Sequence, residues 1–187
     1  AGSRHTWLFS ATMPHEIQAI IDSYMSPDAM KIAVSKHDII NKDIRHAYIV
    51  CKNENKLLVL LDFLKTQGAN RGLIFCRTKI DAKILSEKLY ANNLNVEAIH
   101  GDLFQKEREK VMRAFKNTKL QILVATDVAA RGIDVADLSY VVHYQLPDQM
   151  EYYTHRSGRT ARAGKKGLSL CLVNKDERAG LKDIERE

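Results

Sequence analysis

The residues best suited to chemistry form one run, His155-Arg156-Ser157-Gly158-Arg159-Thr160-Ala161-Arg162-Ala163-Gly164, with three arginines and a histidine inside eight positions. A guanidinium is planar, permanently charged and matched to bidentate contact with phosphate oxygens. Arg159 and Arg162 are three apart, a spacing that would share one face if this stretch were a helical turn. Gly158 and Gly164 let backbone approach a partner closely. An isolated RxxR is more often a solvated basic turn, so the reading depends on its company.

That company is present. Ala125-Thr126-Asp127-Val128-Ala129-Ala130-Arg131-Gly132-Ile133-Asp134 offers a hydroxyl, a cation, an open backbone and a carboxylate able to take a ribose hydroxyl. The plain alternative is a strand-to-helix loop capped by Asp127 or Asp134. His100-Gly101-Asp102, followed by Gln105 and Arg108, reads as a tight turn into a helix whose first N–H groups suit a phosphate. Asp102 is also a candidate N-cap. Leu73-Ile74-Phe75-Cys76-Arg77-Thr78 leads a strand into a helix, where Thr78 either caps or binds phosphate. Near the N-terminus stands Phe9-Ser10-Ala11-Thr12-Met13-Pro14.

In order and spacing, from Phe9 to about Val173, these segments resemble the motifs of DEAD-box ATP-dependent RNA helicases of superfamily 2. The usual family form has glycine where Ala161 stands. The resemblance implies that Arg162 is an arginine finger at the ATP γ-phosphate and Arg159 a second phosphate contact. It implies that Asp134 meets the ATP ribose. Thr78, Gly101, Gln105, Arg108, Thr126, Arg131 and Gly132 are implied to grip the RNA backbone without reading sequence. Ser10, Thr12, His155 and Arg156 are implied to couple this domain to the N-terminal RecA-like domain of the same protein. ATP with Mg²⁺ is implied to be bound mainly by that first domain, because no GxxxxGK[ST] phosphate loop and no acidic DExD segment occurs here. The chain alone is therefore expected to hydrolyse no ATP and to bind RNA weakly. A superfamily 2 DNA helicase, a binding module without an enzymatic parent and an unrelated Rossmann-like protein are the rival readings. No GxGxxG follows the first strand, which disfavours the last.

Positioning such residues requires a scaffold, and the hydrophobic pattern describes one. Short apolar runs at His46–Cys51, Gly72–Cys76, Val96–Ile99, Gln121–Ala125, Tyr140–Tyr144 and Leu168–Val173 predict strands. Helical spacing predicts helices over Glu54–Gln67, Lys79–Asn92, Gln105–Lys116 and Gln149–Arg156, with a helical tail from Lys175. Ile80, Ile84, Leu85 and Leu89 are expected on one inward face. Continuous apolar strands alternating with helices predict an α/β fold with a mainly parallel sheet, here a RecA-like three-layer α/β/α domain. Ligands of such sheets bind at the carboxyl ends of the strands, after Cys76, Ile99, Ala125 and Tyr144. Residues 1–34 read as a remnant of a first domain, with strands at Trp7–Ser10 and Met30–Val34 around a helix at Glu16–Tyr24. Residues 35–45 read as a linker and 46–187 as the helicase C-terminal domain.

Composition agrees. The formal net charge of +6 leans toward a polyanionic partner. Cys51, Cys76 and Cys171 form no CxxC pair and read as buried reduced thiols. With no apolar run of spanning length, they suggest a cytoplasmic setting and no membrane partner. His5, His15, His37, His46 and His143 show no ligand spacing. His143, inside an apolar strand, is expected to be a satisfied core residue.

Overall fold

The computed structural model describes residues 15–24, 26, 42–131, 133, 135, 138–161, 164–178 and 181. The expected strands at Trp7–Ser10 and Met30–Val34 lie outside these residues, as does most of the expected linker. Two compact units divide the chain, Ala1–Asp38 and Ile39–Glu187. In the first, the described element is helix α1, His15–Tyr24. The Gln18 side chain donates to Asp22 one turn later at 2.9 Å.

The second unit contains strands Ile44–Val50 (β1), Gly72–Cys76 (β2), Val96–Ile99 (β3), Ile122–Thr126 (β4), Tyr140–His143 (β5) and Gly167–Val173 (β6). Helices Lys56–Gln67 (α2), Lys79–Ala91 (α3), Gln105–Lys116 (α4), Asp127–Ala130 (α5) and Met150–Ser157 (α6) alternate with them. The strands form one sheet in the order β1-β6-β5-β2-β4-β3, and every pairing is parallel. β2, β4 and β5 occupy its middle, and every residue in them is buried. That is what Val-, Ile- and Leu-rich runs without alternation dictate. β1 lies at one edge, pairs with β6, and leaves Tyr48, Ile49 and Val50 exposed.

Successive residues of a strand point to opposite faces, and each face has its own apolar cluster. Ile74 and Cys76 of β2 join Leu60 and Leu64 of α2 and Leu85 and Leu89 of α3. Leu73 and Phe75 join Phe115 of α4, Leu123 of β4 and Val141 of β5. A smaller cluster gathers Tyr153, Cys171, Val173 and Leu181.

Three local expectations are corrected. Ile80 and Ile84 are 63% and 44% exposed. The buried stripe of α3 is Ala82, Leu85 and Leu89, one arc at 3.6 residues per turn that excludes those isoleucines. Asp102 does not cap α4: Phe104 stands at the N-cap, and Asp102 reaches back to Lys79 at 2.7 Å. This hydrogen bond and the ammonium charge hold the Asp102 carboxyl below its usual value. The loop after β4 contains α5, whose cap is Thr126 rather than an aspartate. Cys51, Cys76 and Cys171 are free thiols, the last two buried and pushed up to about 12 by desolvation. Among the described residues no helix is long and apolar enough to cross a membrane.

Candidate functional site

The carboxyl ends of β2, β3, β4 and β5 open onto four loops, and a network of side chains ties these loops together. After β2, Thr78 is extended and caps α3, accepting from the Asp81 N–H at 3.1 Å and donating to its carboxylate at 2.6 Å. Gln145, after β5, accepts from the Arg77 N–H at 2.8 Å and donates to Asp81 at 3.2 Å. Arg77 also pairs with Asp148. The β2 and β5 loops are thus bridged by one amide side chain.

After β3, Gly101 has open space where a Cβ would stand. The Phe104 N–H donates to Glu107 at 2.9 Å, satisfying an orphan donor of the helix start. Gln105 is exposed and donates to Glu109 at 2.9 Å. Arg108 reaches across to the β4 loop, where its Nη2 donates to the carbonyls of Ala129 at 2.7 Å and Arg131 at 3.3 Å. Gly101, Gln105, Arg108 and Arg131 therefore border one strand-end surface, and Arg108 fixes the loop that bears Arg131.

After β4, Thr126 accepts from the Ala129 N–H at 3.4 Å. Its hydroxyl is largely buried and serves the backbone in this state. Asp127 is held by Arg156 of α6 in a two-pronged pair, Nε to Oδ1 at 2.6 Å and Nη2 to Oδ2 at 2.7 Å. Arg156 Nη1 donates to the Gln145 carbonyl at 2.8 Å, and its guanidinium lies 5.0 Å from the centre of the Phe75 ring. Arg156 is only 2% exposed. The resemblance gives it a bridging role toward another domain; the structure turns it inward, where it joins the β4 loop to α6.

Two further contacts reinforce that joint. Arg159 Nη1 donates to the Ile133 carbonyl at 2.9 Å, and Arg131 Nη2 lies 3.4 Å from the Tyr152 hydroxyl on α6. α6 ends at Ser157, and Gly158 caps it through the Thr154 carbonyl at 2.9 Å. Thr160 donates to the Leu138 carbonyl. A Cβ at Gly167 would stand 2.2 Å from Thr160 Oγ1, so glycine alone lets β6 approach this turn. Ala161 has φ +56, the left-handed region, which explains the glycine of the usual family form. His155 is exposed. Ser10, Thr12, Gly132, Asp134 and Arg162 lie outside the described residues.

The fold thus brings the β4 loop, Arg156 of α6 and Arg159 of the turn after it into one unit and places Arg108 against it. Gln145 and Tyr152 are further members of this unit, and Asp127, expected at most as a helix cap, is the carboxylate partner of Arg156. Asp127 carried a signal, since it adjoins Thr126 at a strand's carboxyl end. Gln145 and Tyr152 carried none. Among the described residues no group of three or more His, Cys, Asp or Glu is placed to hold a metal.

Comparison with known proteins gives a consistent picture. The family model described as "Helicase conserved C-terminal domain" matches residues 55–164. The chain is 42% identical over 182 residues to the ATP-dependent RNA helicase DbpA of Bacillus subtilis, covering 97% of this chain and 38% of that protein. It is 39% identical over 180 residues to a eukaryotic initiation factor 4A-III homolog of Oryza sativa subsp. japonica, covering 96% of this chain and 44% of that protein. It therefore spans less than half the length of these relatives. Among solved structures, Dbp5 of S. cerevisiae bound to RNA and ADP BeF3 superposes with a TM-score of 0.84 at 31% identity, covering 95% of this chain and 47% of that one. A DEAD box protein from Methanococcus jannaschii superposes with a TM-score of 0.73 at 45% identity, covering 95% and 47%.

Proposed function

The chain belongs to the DEAD-box RNA helicases as their conserved C-terminal RecA-like domain, and we propose that it is the second jaw of a clamp that closes on RNA when ATP binds. The observation that carries this reading is the joint between the β4 loop and α6. Arg156–Asp127 and Arg159–Ile133 weld the loop expected to meet RNA to the segment expected to meet ATP. A change on one side is transmitted to the other through hydrogen-bonded groups, not through a flexible linker.

ATP is the substrate in this reading, and the donor set fits a triphosphate: cationic, planar side chains at a strand-end edge. When bound, ATP supplies the phosphoryl bond whose hydrolysis reopens the clamp. The triphosphate and Mg²⁺ sit chiefly on a first RecA-like domain. This chain supplies Arg159 and Arg162, whose fixed positive charge offsets the negative charge that spreads over the transferring group. Asp134 takes the ribose. Ser10 and Thr12, which belong to that first domain, couple its nucleotide state to closure, His155 bridges to it from this domain, and Arg156 acts from inside by holding the joint.

RNA is gripped through its backbone. Arg108 has Nε and Nη1 outside its two carbonyl bonds, and Gly101 leaves room for a phosphate to approach. Thr78, Gln105, Thr126, Arg131 and Gly132 complete the surface. Such contacts read charge and shape rather than sequence.

The test uses this chain joined to its first domain. Arg162→Ala is expected to lower RNA-stimulated ATP turnover by about 10³-fold or more, the scale of a lost arginine finger, with RNA affinity retained. Arg108→Ala is expected to weaken RNA binding and to flatten the slope of log K against log salt by about 0.7 for one phosphate. Unchanged turnover in the first variant, or an unchanged slope in the second, removes the corresponding half of the reading. The 187-residue chain by itself is expected to show no ATP turnover.

A further inference from the structure

α6 is docked by an unusual set of groups. β5 ends on His143, which is completely buried. Its Nε2 lies 3.0 Å from Ser169 Oγ on β6 and 3.4 Å from Ser157 Oγ, the last residue of α6. The two hydroxyl oxygens are 2.8 Å apart. Tyr153 of α6 stacks on the His143 ring with centroids 4.6 Å apart and planes 23° from parallel. Its hydroxyl lies 2.5 Å from Nδ1 of His46 on β1. A relay of five polar side chains thus joins three strands to one helix, where aliphatic packing would serve stability as well.

The relay has a direction. His143 Nδ1 is buried without a hydrogen-bond partner. A buried N–H left unpaired is rarer and costlier than an unpaired acceptor, so the proton sits on Nε2. Nε2–H then donates to Ser169, whose hydroxyl shares a hydrogen bond with that of Ser157. Apolar contacts tolerate small slides, whereas a set of hydrogen-bonded side chains is satisfied in one register. What hangs from Ser157 is the nucleotide-facing turn. The Arg159 N–H bonds to the Arg156 carbonyl at 3.1 Å and the Thr160 N–H to the Ser157 carbonyl at 3.1 Å.

We propose that His143 and Ser157 are positioning residues: their hydrogen-bonded relay through Ser169 sets the register of the end of α6 and so the place of Arg159 in the nucleotide site. The inference rests on the arginine roles proposed above. It adds that residues touching neither ATP nor RNA control the chemical step.

The experiment again uses the chain joined to its first domain, with Arg162→Ala as reference. Ser157→Ala removes one hydroxyl and little volume; His143→Leu removes the ring. His143→Gln restores an N–H at the Nε2 position. Because a misplacement of ~1 Å can cost about 10²-fold, Ser157→Ala and His143→Leu are expected to lower kcat by about 10-fold or more. KM for ATP, RNA affinity and, for Ser157→Ala, the melting temperature stay close to wild type. His143→Gln recovers most of the lost kcat. The inference is overturned if Arg162→Ala abolishes turnover while Ser157→Ala leaves it intact. It is equally overturned if His143→Gln is as impaired as His143→Leu, or if kcat falls only in proportion to melting temperature. If Arg162→Ala itself has no effect, the arginine reading fails first. Histidine ¹⁵N shifts of the 187-residue chain report the tautomer, and a proton on Nδ1 removes the relay as drawn.

Discussion

α3 and α6 both follow a central strand and both flank the candidate site, yet they are held in different ways. α3 buries Ala82, Leu85 and Leu89 against the aliphatic face of the sheet. α6 is anchored by Tyr153, Arg156 and Ser157, through a guanidinium–carboxylate fork, a pair of hydroxyls and a stacked imidazole. Aliphatic burial is non-directional and scales with area, so it fixes that a helix packs and on which face. Hydrogen-bonded partners fix where along its axis it packs. The helix that leads into the arginines proposed to meet ATP is the one docked by directional contacts.

The contrast breaks first at the buried ion pair. Asp127→Ala leaves the Arg156 charge without its carboxylate and is expected to cost about 3–5 kcal/mol in urea unfolding. Replacing both partners by leucines is expected to cost much less, because no uncompensated charge remains. Leu85→Ala in α3 is expected to cost about 2–5 kcal/mol, graded by the cavity left and with no partner able to rescue it. If the Asp127/Arg156 double replacement costs the sum of the single ones, the fork is not a coupled unit.

Acidity sharpens the comparison next. Burial holds the His143 imidazole well below its usual value, with the Arg156 charge acting in the same direction. In the unfolded chain it titrates near 6.5. Below that pH the unfolded state takes up a proton that the folded state refuses, so stability is full above about pH 6.5 and falls as pH drops. The slope approaches about 1.4 kcal/mol per pH unit for this one group. His143→Gln is expected to reduce the slope by that amount, whereas Leu85→Ala lowers the whole curve without changing it. Equal slopes in wild type and His143→Gln would contradict a neutral buried imidazole.

Smaller effects separate the two helix ends. Ala161, beyond α6, and Asn93, beyond α3, both have positive φ. Alanine pays the full left-handed penalty, while asparagine tolerates that region. Ala161→Gly is therefore expected to stabilise by about 0.5–1 kcal/mol, and Asn93→Gly by a few tenths at most. A larger gain at Asn93 would reverse the explanation. Smallest of all, Ile84→Ala on the exposed side of α3 is expected to stay within about 0.5 kcal/mol.

Much of the scaffold is legible in the sequence. The β2, β3 and α4 boundaries coincide with the runs Gly72–Cys76, Val96–Ile99 and Gln105–Lys116. The other strands shift by one or two residues, within the fraying of element ends. Spacing places α3 and its buried Leu85 and Leu89 but not its exposed Ile80 and Ile84, because these isoleucines are as apolar as the leucines and the pattern offers two overlapping arcs. Around the site, Thr78 as the α3 cap was readable from its place before a helix start. The partners of Arg156 were not. Asp127 is 29 residues away and Gln145 is 11, and a guanidinium on a helix looks the same in sequence whether it faces water or a carboxylate.

By itself, the sequence determined the architecture and the inventory of chemical groups. Strand burial, helix period and the runs around Thr126, Arg108 and Arg159 are local patterns, set by side-chain volume and by backbone preferences over a few residues. The tertiary structure alone decided which of those groups face solvent and which hold one another. Arg156 turns inward although its segment reads as phosphate-facing, and His143, expected in the core from its strand, takes partners there that the sequence did not show. Their roles depend on partners supplied by distant strands, and the free energy of an ionised or hydrogen-bonding side chain is set by what surrounds it in space.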